Sequence, residues 1–192
     1  MKEPLVWMDL EMTGLEPEQD QILEVALLVT DEKLVPQTEG KEWILHAPAK
    51  KFSQMDEWNQ NQHTKSGLWE KVLASSIPVQ EVEAHILATL QAHMKPKQGI
   101  LAGNSIWQDR RFIRCYMPTL DTFLHYRMLD VSSFKVMVTH WFPNGKYPKP
   151  ESSHRALDDI LGSMKELAYY QTLFLGSHHN QGIENLKKIG ER

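Results

Sequence analysis

The sequence predicts an α/β domain with a mixed sheet, in which an antiparallel meander of strands comes first and helices flank the sheet. Three observations support this class. Two apolar segments early in the chain have the length and composition of strands, and a short polar segment separates them. Later segments repeat apolar residues at helical spacing, and short apolar strands lie between them. Consecutive strands followed by alternating helices and strands indicate a mixed sheet covered by helices.

The first three strands are predicted from apolar segments. Residues 5–12 form the first strand, which ends at Thr13-Gly14, and residues 22–30 form the second. The second contains an unbroken apolar segment, which indicates burial on both faces. Residues 42–46 form a shorter third strand. Turn-forming clusters before and after residues 34–37 favour an antiparallel meander.

The middle of the chain is predicted to be mainly helical. Short helices around Ser66-Gly67 cover residues 52–74. Pro78 then begins a longer helix, whose apolar residues repeat at helical spacing: Val79, Val82, Ile86, Leu87 and Leu90. A short buried strand covers residues 99–102. The turn that follows, Gly103-Asn104-Ser105, is a possible cap for a helix over residues 107–117.

The last third is predicted to contain a strand and two helices. The strand covers residues 128–131, and Ser132 is a candidate cap for a helix that runs towards Trp141. The final helix covers residues 153–175, and its buried stripe is Leu157, Ile160, Leu161, Met164, Leu167 and Ala168. We expect residues 1–176 to form one domain, and residues 177–192 to pack on it as a short helix or to fray.

Composition limits the classes of protein that fit. The 192 residues are 41% hydrophobic and 24% charged, as in a globular domain. With 25 acidic residues against 21 basic ones, the chain is poorly suited to bind long nucleic-acid duplexes through their phosphates. The single cysteine, Cys115, excludes an intramolecular disulfide. Since we recognise no membrane-spanning segment or signal peptide, we expect a cytoplasmic protein without membrane contact.

The first strand carries two acids, Asp9 and Glu11. Side chains alternate faces along a strand, so both point the same way, with Cα atoms about 6.5 Å apart. Apolar neighbours hydrate carboxylates poorly, and a divalent cation would relieve the cost of burying them. An exposed acidic pair at the end of a strand is the alternative interpretation.

A third acidic candidate follows the predicted strand at residues 99–102. Asp109 lies in the first turn of the next helix, and ligand sites of α/β sheets gather where strands end and helices begin. Stabilisation of an acid by the helix dipole explains the same position without any ligand.

The start of the last helix carries a histidine and two acids. His154 follows a proline-rich loop, and Asp158 and Asp159 lie in the opening turns. Helical spacing does not decide between the two aspartates, since neither lies in the apolar stripe. A lone loop histidine is more often a solvated surface residue, and acids near a helix start are more often partners of its dipole.

Together, Asp9, Glu11, Asp109, Asp159 and a histidine five residues before the last acid resemble the DEDDh family of exonucleases. Longer segments are similar to the oligoribonuclease branch of that family: residues 7–15, 56–59, 103–112, 125–127 and 154–160. They span almost the whole chain. The resemblance implies an RNase-H-like fold and 3′-to-5′ exonuclease activity.

The resemblance also implies a mechanism. The four acids are the expected ligands of two divalent cations, and His154 is the expected general base for the attacking water. Oxygen-rich carboxylate ligands suit Mg²⁺ or Mn²⁺, and two such ions activate water and stabilise the leaving oxygen. The expected substrates are very short RNAs, especially diribonucleotides, which are hydrolysed to nucleoside 5′-monophosphates.

Two groups of substrate contacts follow from the same resemblance. Leu15 corresponds to an apolar wedge between the two bases, and Trp58 and His63 correspond to a pocket around the terminal nucleotide. Without the resemblance, Leu15 would be an ordinary loop leucine, and Trp58 and His63 would be core or surface residues.

The second group implies a homodimer. Tyr126 and Arg127 of one subunit would reach the active site of its partner. There, Arg127 with Ser105 and Ser132 would bind the 5′ phosphate, since a guanidinium suits phosphate geometry. An ordinary surface ion pair is the alternative for Arg127. Three neighbouring arginines are expected to form a solvated or interface face: Arg110, Arg111 and Arg114.

Two alternative functions stay open at this point. One is a general 3′-to-5′ exonuclease on longer DNA or RNA, such as a proofreading subunit, with the same acids and histidine. The other is a non-catalytic interaction protein that kept the fold. The presence of all four acids and the histidine argues against the non-catalytic protein. A substrate length series distinguishes the general exonuclease from an enzyme that prefers dinucleotides.

Overall fold

The computed structural model describes residues 3–142, 145, 147–148 and 155–175. Five strands form one sheet in this part of the chain: β1 (Leu5–Met12), β2 (Ile22–Thr30), β3 (Lys41–Ile44), β4 (Ile100–Gly103) and β5 (Met128–Asp130). Their order is β3-β2-β1-β4-β5, so β1 is central. β1 is antiparallel to β2 and parallel to β4, which confirms the predicted mixed sheet.

Helices flank this sheet. A short 3₁₀ helix spans Ala49–Gln54. The α-helices are α1 (Glu57–Lys65), α2 (Leu68–Ala74), α3 (Val79–His93), α4 (Ile106–Tyr116), α5 (Pro118–Phe123), α6 (Val131–Trp141) and α7 (Ala156–Leu175). The break between α1 and α2 comes at Gly67, whose φ of 68° lies in the left-handed region that glycine adopts without steric cost.

The alternation of β1 decides which helices face its acids. Val6, Met8 and Leu10 pack in one core cluster with buried residues of α3, α4 and α5. Leu5 and Trp7 pack on the opposite face with residues of α6 and α7. Because side chains two residues apart share a face, Asp9 and Glu11 are on the face covered by α6 and α7.

Apolar burial on both faces stabilises this arrangement. All nine residues of β2 are buried, as the unbroken apolar segment predicted. On α3, the predicted stripe contains Val82, Ile86 and Leu90, which are fully buried against the sheet. Each such side chain contributes about 1.5–3 kcal/mol to folding.

Of the two predicted serine caps, Ser132 was wrong and Ser105 is confirmed in position only. Ser132 lies inside α6, and the side chain of Asp130 caps that helix by accepting the Ser132 N–H at 2.9 Å. Ser105 does stand at the N-cap position of α4, but its side chain makes no capping hydrogen bond. A carboxylate is a good cap acceptor, so Asp130 takes the role that spacing had assigned to Ser132.

Other differences concern bounds and short elements. The third and fourth strands differ from their predicted ranges by one or two residues at their ends. The 3₁₀ helix and α5 were not predicted, although Pro118 begins α5 as an N1 proline. The start of the last helix at Ser153, its end at Gly176 and the tail 177–192 lie outside the described residues. No helix among residues 3–142 and 155–175 combines the length and apolar character needed to cross a membrane.

Candidate functional site

Three carboxylates converge at the end of β1. Asp9, Glu11 and Asp159 each offer an oxygen, and these oxygens all lie within 4.8 Å of one another. The first two come from β1, and Asp159 comes from the opening turns of α7. Asp158, its neighbour, is exposed and is not part of this group. The structure therefore distinguishes the two aspartates that helical spacing left open.

Asp109 approaches the same strand from α4. Its side chain is buried, and Oδ1 accepts the N–H of Leu10 at 3.0 Å. Asp109 lies outside the group of three, yet its charge acts on Asp9. This proximity follows from topology, because β4 runs parallel to β1 and α4 begins just after β4 ends.

Burial, and then repulsion from neighbouring carboxylates, favours the protonated forms of Asp9, Glu11 and Asp109. Burial raises the pKa of Glu11 to about 8, and the charges of Asp159, Glu24 and Asp109 add to this effect. The pKa of Asp9 is also well above its ordinary value, first because of burial and then because of Asp109 and Glu11. Burial raises the pKa of Asp109 to about 7, against the opposing effect of the Leu10 N–H.

The donor set fits a divalent cation. Carboxylate oxygens are hard ligands of the kind that Mg²⁺ and Mn²⁺ prefer. The group of three found among the described residues consists of carboxylates only, without a thiol or an imidazole. A cation between these carboxylates would balance the repulsion that, after burial, raises the pKa values of Asp9 and Glu11. The arrangement can therefore hold a metal ion beside the end of β1.

A fifth carboxylate, that of the fully buried Glu24, lies directly across from Glu11 in the β1–β2 ladder. It is neutralised by Arg155, whose Nη2 is 2.6 Å from Glu24 Oε1 and 3.1 Å from Glu42 Oε1. The Nε of Arg155 adds bonds of 3.1 Å to both Glu24 oxygens. This ion pair attaches the residue preceding α7 to β2, and so helps to position Asp159.

Sequence reasoning missed this pair, although β2 carried a signal. A glutamate within a segment predicted to be buried on both faces requires a cationic partner, since an unpaired buried carboxylate is costly. The partner is 131 positions away in the chain, so no local pattern identifies it. His154, the residue before Arg155, lies outside the described residues.

The predicted wedge residue, Leu15, and the two predicted pocket residues, Trp58 and His63, differ in exposure. Leu15 and Trp58 are 64% and 63% exposed, on the β1–β2 turn and on α1 respectively. His63 is buried, and its Nε2 lies 2.8 Å from the Met12 carbonyl oxygen. His63 therefore packs against the end of β1, with its side chain buried.

Ser105 and Ser132 lie together at the carboxyl ends of β4 and β5. The Ser105 N–H donates to Asp130 Oδ1 and to Ser132 Oγ, each at 2.9 Å, and the two hydroxyl oxygens are 3.2 Å apart. Ser105 has a φ of 51°, an uncommon conformation for a serine. Such outliers persist where the surrounding structure holds them in place.

Tyr126 and Arg127 project from the loop before β5. Tyr126 is 72% exposed, and the guanidinium of Arg127 lies 5.4 Å from the centre of its ring. No hydrogen bond joins Arg127 to Ser105 or Ser132, residues that are all described here. Within one chain, the predicted phosphate-binding group is therefore only partly assembled.

The expected arginine face was wrong for Arg110. Its side chain is buried, its Nε bonds Asp121 Oδ1 at 2.9 Å, and its Nη1 donates to the His125 carbonyl oxygen at 2.8 Å. Arg111 donates to the Leu15 carbonyl oxygen, and Arg114 remains exposed. A guanidinium on an amphipathic helix can serve buried acceptors as well as solvent, and exposure cannot be read from its charge.

Comparison with known proteins places this geometry in context. The family model described as "Exonuclease" matches residues 6–167. A probable oligoribonuclease of Caenorhabditis elegans is 40% identical over 178 residues, which are 92% of this chain and 92% of the relative. The oligoribonuclease of Coxiella burnetii is 45% identical over 89% of this chain and 94% of its own. That of Marinobacter nauticus is 46% identical over 88% and 95%.

Solved structures support the fold. Exonuclease I from Methylocaldum szegediense superposes with a TM-score of 0.60 at 18% identity, over 92% of this chain and 42% of that chain. Exonuclease I of E. coli with an oligonucleotide gives 0.58 at 15% identity, over 94% and 42%. This chain thus spans well under half the length of those proteins. The likeness confirms the predicted fold class.

The carboxylates make stability depend on pH and metal. We expect the unfolding temperature of metal-free protein to fall between about pH 5 and about pH 8. In this range the unfolded chain has released protons that the folded carboxyl groups retain, so rising pH favours unfolding. At pH 8, Mg²⁺ or Mn²⁺ should raise that temperature by at least about 5 °C.

Thermal unfolding with chelator, and then with each cation, measures this effect. Glu11→Gln is the matched variant, because it keeps the shape of the side chain and removes its charge. It should flatten the pH dependence and weaken the response to cations. If the unfolding temperature of the wild-type protein changes with neither pH nor cations, the carboxylates do not form the proposed cation site.

The Arg155–Glu24 pair predicts a stability effect of a different kind. Arg155→Met should destabilise the fold by about 3–5 kcal/mol, because it leaves the buried Glu24 charge without its partner. Glu24→Gln combined with Arg155→Met should recover part of this loss, since the amide carries no charge. Urea unfolding at neutral pH compares the two. Equal stability of the single and double variants would show that the charge of Glu24 is not the cause.

Proposed function

The chain belongs to the exonuclease family and, within it, to the oligoribonucleases, and we propose that this 3′-to-5′ exoribonuclease prefers diribonucleotides among very short RNAs. Its products would be nucleoside 5′-monophosphates. One observation carries the proposal: carboxylates from β1, α4 and α7 gather at one end of the central strand.

The proposed metal ligands are Asp9, Glu11, Asp109 and Asp159. Bound Mg²⁺ or Mn²⁺ ions, two in number, would activate the attacking water and stabilise the leaving oxygen of the phosphodiester. Asp9 and Glu11 share one face of a strand and need no rearrangement to act together. The Leu10 N–H holds the carboxylate of Asp109 in a fixed orientation beside them.

His154 is the proposed general base. This assignment rests on the sequence, in which the histidine stands five residues before Asp159, as in the DEDDh pattern. The imidazole must be neutral to accept a proton from water, so the rate should rise with pH through its pKa.

The preference for short RNA rests on groups that contact both ends of a dinucleotide. An exposed Leu15 and an exposed Trp58 offer apolar surfaces to bases, and aromatic rings stack on bases without regard to sequence. Ser105 and Ser132 present hydroxyls that suit a 5′ phosphate. The net charge of −4 agrees with a substrate that has few phosphates.

A homodimer would complete the phosphate-binding group. In a single chain the Arg127 side chain is exposed and makes no bond to the two serines. An apolar and basic groove of about 480 Å³ lies near it, lined among others by Trp107, Arg114 and Met128. None of the four acids lines this groove, so it suits a protein partner better than a reacting group. Exposed Trp107 and Met128 are apolar surface that a second copy could bury.

A length series tests the proposed substrate. With Mg²⁺ or Mn²⁺, kcat/KM should be highest for 5′-phosphorylated diribonucleotides and fall at least about tenfold for longer RNA, because only a dinucleotide fills both ends of the site. Labelled RNA and DNA substrates of increasing length, each with and without chelator, measure this. Efficiency that rises with length, or processive removal from long DNA, would contradict the preference and support the general exonuclease instead.

His154→Ala and Asp9→Asn are the controls for this series. His154→Ala should still bind metal and dinucleotide while its turnover falls about 10²–10⁴-fold. Asp9→Asn should lose turnover together with metal affinity. A near-normal rate of His154→Ala would remove the histidine from the mechanism and leave the preference for length unaffected.

Mixed dimers test the contribution of the partner. We expect Arg127→Ala and Asp9→Asn proteins to be poorly active alone and to regain activity when mixed. One site of the mixed dimer then combines intact acids from one chain with an intact Arg127 from the other. Diribonucleotide hydrolysis after mixing, compared with the sum of the separate activities, measures the gain. No gain despite subunit exchange would mean that Arg127 acts within its own chain or not at all.

A further inference from the structure

Two side chains of α4 converge on one carbonyl oxygen in the β1–β2 turn. Gln108 Nε2 donates to the Leu15 carbonyl oxygen at 2.5 Å, and Arg111 Nη1 donates to the same atom at 3.1 Å. Arg111 Nη1 also donates to Gln108 Oε1 at 3.0 Å, which orients the amide with its NH₂ group towards Leu15. A carbonyl oxygen has two lone pairs, and here both donors use them.

The backbone of Leu15 is therefore held firmly, while its side chain is not packed. The Leu15 side chain is 64% exposed, whereas Gln108 is 8% exposed. Breaking a bond to a buried amide leaves polar groups without partners, so this connection is costly to lose. A leucine on a fixed backbone that points into solvent contributes little to the core and suits contact with a ligand.

Bonds within the turn add to its rigidity. Asp20 accepts from the Thr13 hydroxyl at 2.8 Å and from the Glu16 N–H at 3.0 Å. Gly14 packs against this carboxylate so closely that any side chain at position 14 would overlap it. The turn is thus braced on both sides of Leu15.

The same helix also orients a catalytic acid. Asp109, the residue after Gln108, accepts the Leu10 N–H at 3.0 Å. Adjacent residues of α4 thereby hold both β1, which carries Asp9 and Glu11, and the turn that carries Leu15. The separation between the acids and the Leu15 side chain is set by one rigid helical turn.

We propose that Gln108 and Arg111 are positioning residues that hold Leu15 at a fixed distance from the acids and so determine the affinity for short RNA. This rests on the proposed function, in which Leu15 contacts the bases of the substrate. A contact group that is already ordered loses little entropy when the substrate binds, and loosening it weakens binding. The acids keep their own supports, so the effect falls on KM more than on kcat.

Gln108→Met and Arg111→Met test the proposal, since methionine keeps the length of each side chain and removes its donors. For a diribonucleotide, KM should rise roughly 5–20-fold in Gln108→Met, with kcat within about threefold and Mn²⁺ affinity unchanged. The Arg111 side chain is partly exposed, so Arg111→Met disturbs the core less. If Gln108→Met fails to fold, Arg111→Met provides the same test, with the same expected rise in KM. An unchanged KM in both variants would overturn the proposal.

A double-mutant cycle with Leu15→Ala separates positioning from general loosening. If the two residues act through Leu15, adding Gln108→Met to Leu15→Ala raises KM less than about twofold further. Equal increases in both backgrounds would overturn the proposal. Ser75→Ala is the matched control, because it breaks a comparable side-chain bond, to the Ile44 carbonyl oxygen at 2.6 Å. It should lower stability and leave KM unchanged.

The outcomes also distinguish this proposal from the proposed function. If wild-type protein shows no preference for diribonucleotides in the length series, the proposed function fails whatever the variants do. If the preference holds and Leu15→Ala raises KM, but Gln108→Met and Arg111→Met do not, only the positioning role is overturned. If Leu15→Ala itself leaves KM unchanged, Leu15 is no contact and nothing is left to position.

Discussion

Repulsion among carboxylates at the end of β1 is the constraint on which the rest of the site depends. Asp9, Glu11 and Asp159 come within 4.8 Å of one another through single oxygens, and buried Glu24 lies across the ladder from Glu11. Such a cluster is unfavourable in a protein interior unless opposite charge balances it. Arg155 balances Glu24. The remaining charge is what a divalent cation would neutralise, and that requirement links the fold to phosphodiester chemistry.

Two helices deliver the groups that β1 cannot supply. α7 brings Asp159 to the face of the sheet that carries Asp9 and Glu11, and the Arg155 ion pair attaches its start to β2. α4 begins beside the end of β1 because β4 runs parallel to that strand. Both helices therefore have a structural role and, in the proposed mechanism, a chemical one. The packing that stabilises the sheet also sets the geometry of the site.

The sequence predicted most of the strands and helices because their apolar periodicity is local. The same alternation placed Asp9 and Glu11 on one face, and the resemblance to a family selected Asp159 over Asp158. Partners distant in the chain could not be predicted from local patterns. Nothing near Glu24 in the sequence indicates Arg155, and nothing near Leu15 indicates Gln108. The cap of α6 was assigned to Ser132 because spacing alone does not show that the Asp130 carboxylate reaches the same N–H.

Anomalous scattering from crystals grown with Mn²⁺ tests the central claim most directly. The account predicts difference density within ligand distance of the Asp9, Glu11 and Asp159 carboxylates, and its loss in crystals of Glu11→Gln. Density that appears only elsewhere on the protein, or an empty site at saturating Mn²⁺ and a pH above 8, would contradict it.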